Sequence, residues 1–166
     1  MPASPAKLLR RIRYLLVGIM IGLVVSGVTA FPLPMEVREL CDLMGIYPGN
    51  HLPGLYDWLA QVSDGLNATE KTYPFLFYGT DWLAFAHIVI AILFVGPIKD
   101  PVRNVWVVKW GVIACVLVLP LALICGPIRG IPFAWTLIDC SFGVVAIVPL
   151  LICLRYIARL ERISIS

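Results

Sequence analysis

Val105–Cys125 reads VWVVKWGVIACVLVLPLALIC, a run in which Lys109 is the one charged residue. A spanning helix needs about 20 predominantly apolar residues, and this run supplies them. It is too long and too evenly apolar for a strand or an ordinary core helix. Hydrocarbon offers no water to the backbone, so a segment immersed in it must pair its own N–H and C=O groups as a helix. Three further runs pass the same test: Tyr14–Phe31, Phe75–Val95 and Phe133–Tyr156. The expected fold is therefore all-α, a polytopic membrane protein built as a bundle of four transmembrane helices.

Composition supports that reading over the whole chain. Of 166 residues, 60% are hydrophobic and 14% charged, with a mean hydropathy of +0.92. Soluble domains carry about 45–50% apolar residues, and one this small has too much surface to hide more. Residues 1–166 are expected to form a single membrane domain. The net charge of +3 is spread without the basic, aromatic-studded face that phosphate binding requires, so no nucleic-acid partner is expected.

Basic residues instead sort by loop. Lys7, Arg10, Arg11 and Arg13 precede the first run; Lys99 and Arg103 follow the second; Arg155, Arg159 and Arg162 close the fourth. The other side holds Arg38, Lys71 and Arg129. Nine against three places both termini in the cytoplasm by the positive-inside rule. An alternative for the first run is a cleaved secretory signal ending at Val28-Thr29-Ala30. Its length, with Gly18, Gly22 and Ser26 spaced for helix packing, argues for a retained span.

The long outer loop, residues 32–73, shows two short amphipathic helices. Val37, Leu40 and Met44 share one face; Leu55, Trp58, Leu59 and Val62 share another, and Gly45 and Gly65 are the expected stops. Tyr56 and Trp58 are expected at headgroup level. Such a cap could cover a site or simply bury the loop's own apolar side. Asn67-Ala68-Thr69 matches the glycosylation sequon, a short and common pattern. Gly96-Pro97 and Gly126-Pro127 are expected to end the second and third spans, each followed by a cation, Lys99 or Arg129, suited to a helix C-terminus.

Few residues could carry chemistry. The five cysteines form no Cys-x-x-Cys pair, and four of them lie in spans, where cysteine behaves as a small hydrophobe. His87 is in a span and His51 in the loop, too few for a bis-histidine haem. No metal or cofactor is expected. Lys109 is shallow enough to snorkel to water, with Trp106 and Trp110 as interface anchors. Pro120 and Pro149 interrupt helices and free the Val116 and Val145 carbonyls.

The remaining polar groups are costly at membrane depth, by about 2.5–3.5 kcal/mol each on insertion scales. Asp81 and Asp139 each lie six residues into a span from its outer end, about 9 Å deep at 1.5 Å per residue. Thr136, Gly143 and Ala146 form a small-residue stripe beside Asp139; Thr80, Ala84, His87 and Ala91 form another. Asp81, His87 and Asp139 are the candidate catalytic residues, with Trp82, Arg129 and Trp135 as candidate ligand-binding residues. The competing structural reading pairs the carboxylates with Arg129, Thr80, Thr136 or the backbone.

Tyr78-Gly-Thr-Asp-Trp-Leu-Ala-Phe-Ala-His87, Asp100-Pro-Val-Arg-Asn104 and Gly130-Ile-Pro132 through Ile138-Asp-Cys-Ser-Phe-Gly143 resemble strings of short, uncharacterised bacterial four-helix membrane proteins. The resemblance covers most of residues 31–153. It implies a bacterial inner (cytoplasmic) membrane and brings no activity with it. The layout, one long outer loop after the first span, is also similar to that of the sterol-isomerase and sigma-2 receptor group.

The expected function is a non-catalytic accessory subunit of a partner membrane protein, or a binder of a lipid or other apolar small molecule. The alternatives are a membrane-embedded enzyme acting on a lipid-like substrate through Asp81, Asp139 and His87, and a small transporter. Transport is poorly served by an inner half offering only Lys109.

Overall fold

The computed structural model describes residues 4–46 and 53–165. They are helical, with no strand among them: α1 Pro5–Thr29, α2 Leu33–Ile46, α3 Pro53–Thr72, a 3₁₀ turn Pro74–Phe77, α4 Tyr78–Leu93, α5 Val95–Lys99, α6 Val105–Ile128 and α7 Phe133–Ile165. Four stretches are long and apolar enough to cross a membrane: Pro5–Thr29, Pro74–Lys99, Val105–Ile128 and Phe133–Ile163. Within the most apolar window of α6 only 11% of residues are buried, so the rest must meet a solvent as apolar as themselves. The chain is a four-span helical membrane protein.

Contacts group the chain into two compact units, Met1–Leu23 with Val89–Ser166, and Val24–Ile88. The first unit has a core of Ile12, Leu16, Phe94, Val107, Val108, Leu150, Cys153 and Ile157. Helix α1 starts nine residues before the apolar run expected from sequence, so the basic Arg10, Arg11 and Arg13 ride on a helix whose other side is buried. Leu8, Ile12 and Leu16 recur at helical spacing and are fully enclosed. The small residues expected to pack α1 do not: Gly18 and Gly22 face open space, and Ser26 is exposed. Packing against hydrocarbon costs a small side chain nothing, so the pattern Gly18–Gly22–Ser26 alone did not fix which face meets protein.

Helices α6 and α7 form an antiparallel hairpin. A Cβ at Gly143 would lie 2.6 Å from the Cys115 carbonyl oxygen, and one at Gly126 would lie 2.8 Å from Thr136 Oγ1. Small residues here let two backbones approach. The expected stop at Gly126-Pro127 is displaced by three residues. Helix α6 runs through Pro127 to Ile128, and Gly130, with φ +70°, makes the turn. Ile131 N–H reaches the Gly126 carbonyl at 2.9 Å and Gly130 N–H the Pro127 carbonyl at 3.2 Å, the paired bonds of a Schellman cap.

Gly96-Pro97 is likewise not the end of its span. Pro97 has no N–H for the Leu93 carbonyl, so the helix tightens at Phe94, whose N–H bonds Ala91 O at 3.1 Å, and continues as α5. Asp100 is the break. It precedes Pro101 and is extended, φ −137° and ψ 93°, as the proline ring demands of its predecessor. Asn104 Nδ2 then donates to Gly96 O at 3.2 Å and to Asp100 O at 2.9 Å. Arg103 N–H donates to Asp100 Oδ1 at 3.1 Å, and Arg13 Nε to Ile98 O at 3.1 Å. The Asp100-Pro-Val-Arg-Asn104 string is a hydrogen-bonded helix stop.

In the second unit α2 packs against α3. The inner face of α2 is Pro34, Val37, Cys41 and Met44, while Leu40 is exposed. Helix α3 passes through Gly65, the expected stop, and ends at Thr72; with open space around it, Gly65 costs the helix only its propensity. Leu59 and Ser63 are buried. Tyr56 is exposed, but Trp58 is turned inward, its buried Nε1–H without an acceptor, and so departs from the expected headgroup position. Asn67 lies within α3 and donates to Ser63 Oγ at 3.5 Å, a helical setting for the sequon. His51 falls outside the described residues. A Cβ at Gly27 of α1 would sit 2.8 Å from Ala84 O, so Gly27 is the position where α1 needs no side chain.

Candidate functional site

Pro74 sets the site's entry. Tyr73, before the proline, lies outside the helical region at φ −138° and ψ 59°, and the short 3₁₀ turn follows. Thr80 Oγ1 donates to Phe77 O at 2.7 Å, and α4 begins at Tyr78. Asp81 therefore stands in the first turn of α4, where the partial positive charge of the helix N-terminus favours a carboxylate. Counting from Phe75 had set it too deep for that help, because the 3₁₀ turn is a separate element.

Tyr78, Asp81, Trp82 and Phe85 fall at positions i, i+3, i+4 and i+7, one helical face. Tyr78 and Trp82 meet edge to face with centroids 6.0 Å apart, as do Trp82 and Phe85 at 6.1 Å. The four line an open groove of about 210 Å³. Tyr78 and Phe85 were not among the sequence candidates. Their spacing from Trp82, one turn before and one after, was the available signal.

His87 points elsewhere. It is six residues beyond Asp81, about 120° around the helix. Its Nδ1 lies 2.8 Å from Leu83 O; a carbonyl only accepts, so Nδ1–H is the donor. Its Cβ would be 3.1 Å from a Cβ added at Gly27. Ala84 beside it is buried, as expected of the small stripe.

Asp139 and Trp135 belong to α7, in the other compact unit. Both are half-buried. The stripe beside Asp139 is an interface: Thr136 is 1% exposed, Gly143 sits on the Cys115 carbonyl, and Thr136 Oγ1 bonds Pro132 O at 3.4 Å. Arg129 caps α6 and is exposed. Among the described residues no ion pair or hydrogen bond engages the carboxylate of Asp81 or Asp139, and Arg129 makes no ion pair. Thr80 and Thr136 spend their hydroxyls on backbone carbonyls. Of the structural alternatives for the acids, the side-chain pairings with Arg129, Thr80 and Thr136 are not formed, while Asp81 does stand at a helix start.

Among the described residues no three of His, Cys, Asp and Glu are placed to hold a metal ion, and all five cysteines are free thiols. Cys41, in α2 outside the spans, has its thiol pushed above the ordinary range by burial first, then by the carboxylates of Asp42 and Asp64. Val116 and Val145, whose carbonyls the prolines release, are exposed on separate helices. The arrangement offers one assembled feature, the carboxylate in its aromatic groove.

The sequence matches no protein-family model, and neither the curated proteins nor the solved structures contain a significant match.

Proposed function

We propose that this chain is a non-catalytic component of the bacterial cytoplasmic membrane that binds a lipid or other apolar molecule, alone or as the accessory subunit of a membrane complex. The observation that carries the reading is the exposed aromatic groove on α4, with an unpaired carboxylate in its floor. A charged group within a span, open to its flank and left without a side-chain partner among the described residues, is a place for a ligand. Catalysis would instead need Asp81, His87 and Asp139 to converge. Asp81 and His87 diverge on one helix, about 120° apart.

The cytoplasmic location proposed for both termini is supported by the nine basic residues that flank the spans on one side of the topology. Retention of α1 as a span is supported by Leu8, Ile12 and Leu16, which are fully buried and would leave the first unit open if cleaved away. The resemblance to short bacterial four-helix membrane proteins belongs to the same reading.

Native mass spectrometry of the full chain, released from mild detergent, tests it. The expected spectrum carries a lipid or small-molecule adduct, or a stoichiometric partner. A bare monomer with no adduct overturns the reading.

A further inference from the structure

Resting on the lipid-binding reading, we infer that the α4 groove is a receptor for the organic ammonium of a lipid headgroup, with Asp81 as counter-ion and Tyr78, Trp82 and Phe85 as its aromatic walls. Each component is fitted to a cation. Asp81 is half-buried, and its carboxylate has no cationic or hydrogen-bonding partner among the described residues. The three rings are 63%, 57% and 52% exposed, far more than aromatic rings assigned to a packed core. Successive rings are nearly perpendicular, at 84° and 88°. They meet edge to face instead of stacking into a flat plate, and together with Asp81 they line one open groove. An aromatic face attracts a cation within about 6 Å of its centroid, and a carboxylate beside such faces adds the charge that a neutral cage lacks.

Position selects a lipid as the source. The groove begins at the first residue of α4, four residues into the span that starts at Pro74, about 6 Å along it, and it opens on the span's exposed flank. It then runs about two turns along the helix to Phe85, whose exposed ring offers an apolar wall to the glycerol and the first part of an acyl chain. A soluble amine would gain nothing from that wall. An anionic headgroup would meet Asp81 unfavourably, since like charges brought together out of water repel. Tyr78 adds a phenolic O–H at the groove's outer end, a donor for the phosphate that accompanies the ammonium in a zwitterionic headgroup.

The experiment uses the full chain in nanodiscs containing equal amounts of phosphatidylethanolamine and phosphatidylglycerol with identical acyl chains, followed by native mass spectrometry of the lipids retained. The expected result is a preference of about fivefold for the ammonium lipid, the scale of one or two cation–π contacts. Asp81→Asn and Trp82→Ala should each bring the ratio close to one, and Asp81→Glu should keep most of it. Circular dichroism and a monodisperse elution profile confirm that each variant is folded; should Asp81→Asn fail to fold, Trp82→Ala decides. Equal retention of both lipids by the wild-type chain overturns the headgroup assignment while leaving lipid binding intact. So does a preference that survives Trp82→Ala in a folded protein. Retention of neither lipid overturns the lipid-binding reading itself, and this inference with it.

Discussion

Gly143 and Gly18 show how differently the same residue type behaves in this protein. Both sit in spanning helices, yet a Cβ at Gly143 would lie 2.6 Å from a backbone carbonyl, whereas one at Gly18 would meet nothing within 4 Å. Backbone cannot step aside as a flexible side chain does. Gly143→Ala should therefore destabilise the α6–α7 hairpin by about 1–3 kcal/mol, the usual cost of overpacking. Gly18→Ala should leave stability unchanged or slightly raised, since alanine is the better helix former. Thermal unfolding of both variants in one detergent checks the contrast, and equal melting temperatures would contradict the interface. Cys41 makes a second prediction at this scale. Its raised thiol holds less thiolate at neutral pH, so maleimide labelling should be slower than for a free thiol at pH 7. The deficit should shrink as pH rises through the thiol's range, and a pH profile matching that of a free thiol would contradict it.

Where each helix ends is decided by few groups. Asn104 Nδ2 adds a second hydrogen bond to each of two carbonyls, those of Gly96 and Asp100, which also accept the backbone N–H groups of Asp100 and Asn104 as the chain leaves α5. Asn104→Ala should cost about 1–2 kcal/mol, from two neutral hydrogen bonds at about 1 kcal/mol each. Faster amide exchange confined to residues 98–104 would identify the loss, and protection unchanged there would count against the cap. Sequence reading found the right punctuation in the wrong place at both turns. Gly-Pro pairs do mark helix ends, but Pro97 and Pro127 are tolerated because a helix in a membrane keeps most of its remaining hydrogen bonds. The actual stops are set by Asp100 ahead of Pro101 and by Gly130 in its left-handed conformation. Similarly, α3 passes Gly65 because packing against α2 outweighs about 1 kcal/mol of glycine propensity.

Across the molecule, helix α1 supplies part of the core of the first unit. Ile12 is fully buried and clusters with Val107, Val108 and Cys153. Ile12→Ala should destabilise by about 2–5 kcal/mol, the range for truncating a packed aliphatic side chain. The measurement is the denaturant or thermal midpoint of the full chain. A wild-type midpoint would show the core tolerates the loss of α1, which is what a cleaved signal requires. Four-span class, all-helical character and the two loop helices were legible in sequence because length and apolar periodicity suffice when hydrocarbon is the solvent. The Asp81 candidate and its Trp82 neighbour were legible too, since a charge in a span stands out. Tyr78 and Phe85 were overlooked because aromatic residues in a span look like ordinary anchors until their rings are seen to meet edge to face along one open groove.

The amino-acid order alone determined that the chain crosses a membrane four times as helices, because no other backbone arrangement satisfies its polar groups in hydrocarbon. It determined equally which residues are charged within those helices. Only the tertiary structure decided which small residues meet protein. Gly27, Gly126 and Gly143 are interfaces while Gly18 and Gly22 are bare, and lipid is as apolar a neighbour as another helix. Only the structure, too, decided that Asp81 begins α4 and stands unpaired among three rings, since that depends on where the preceding turn ends and on which side chains fail to reach it.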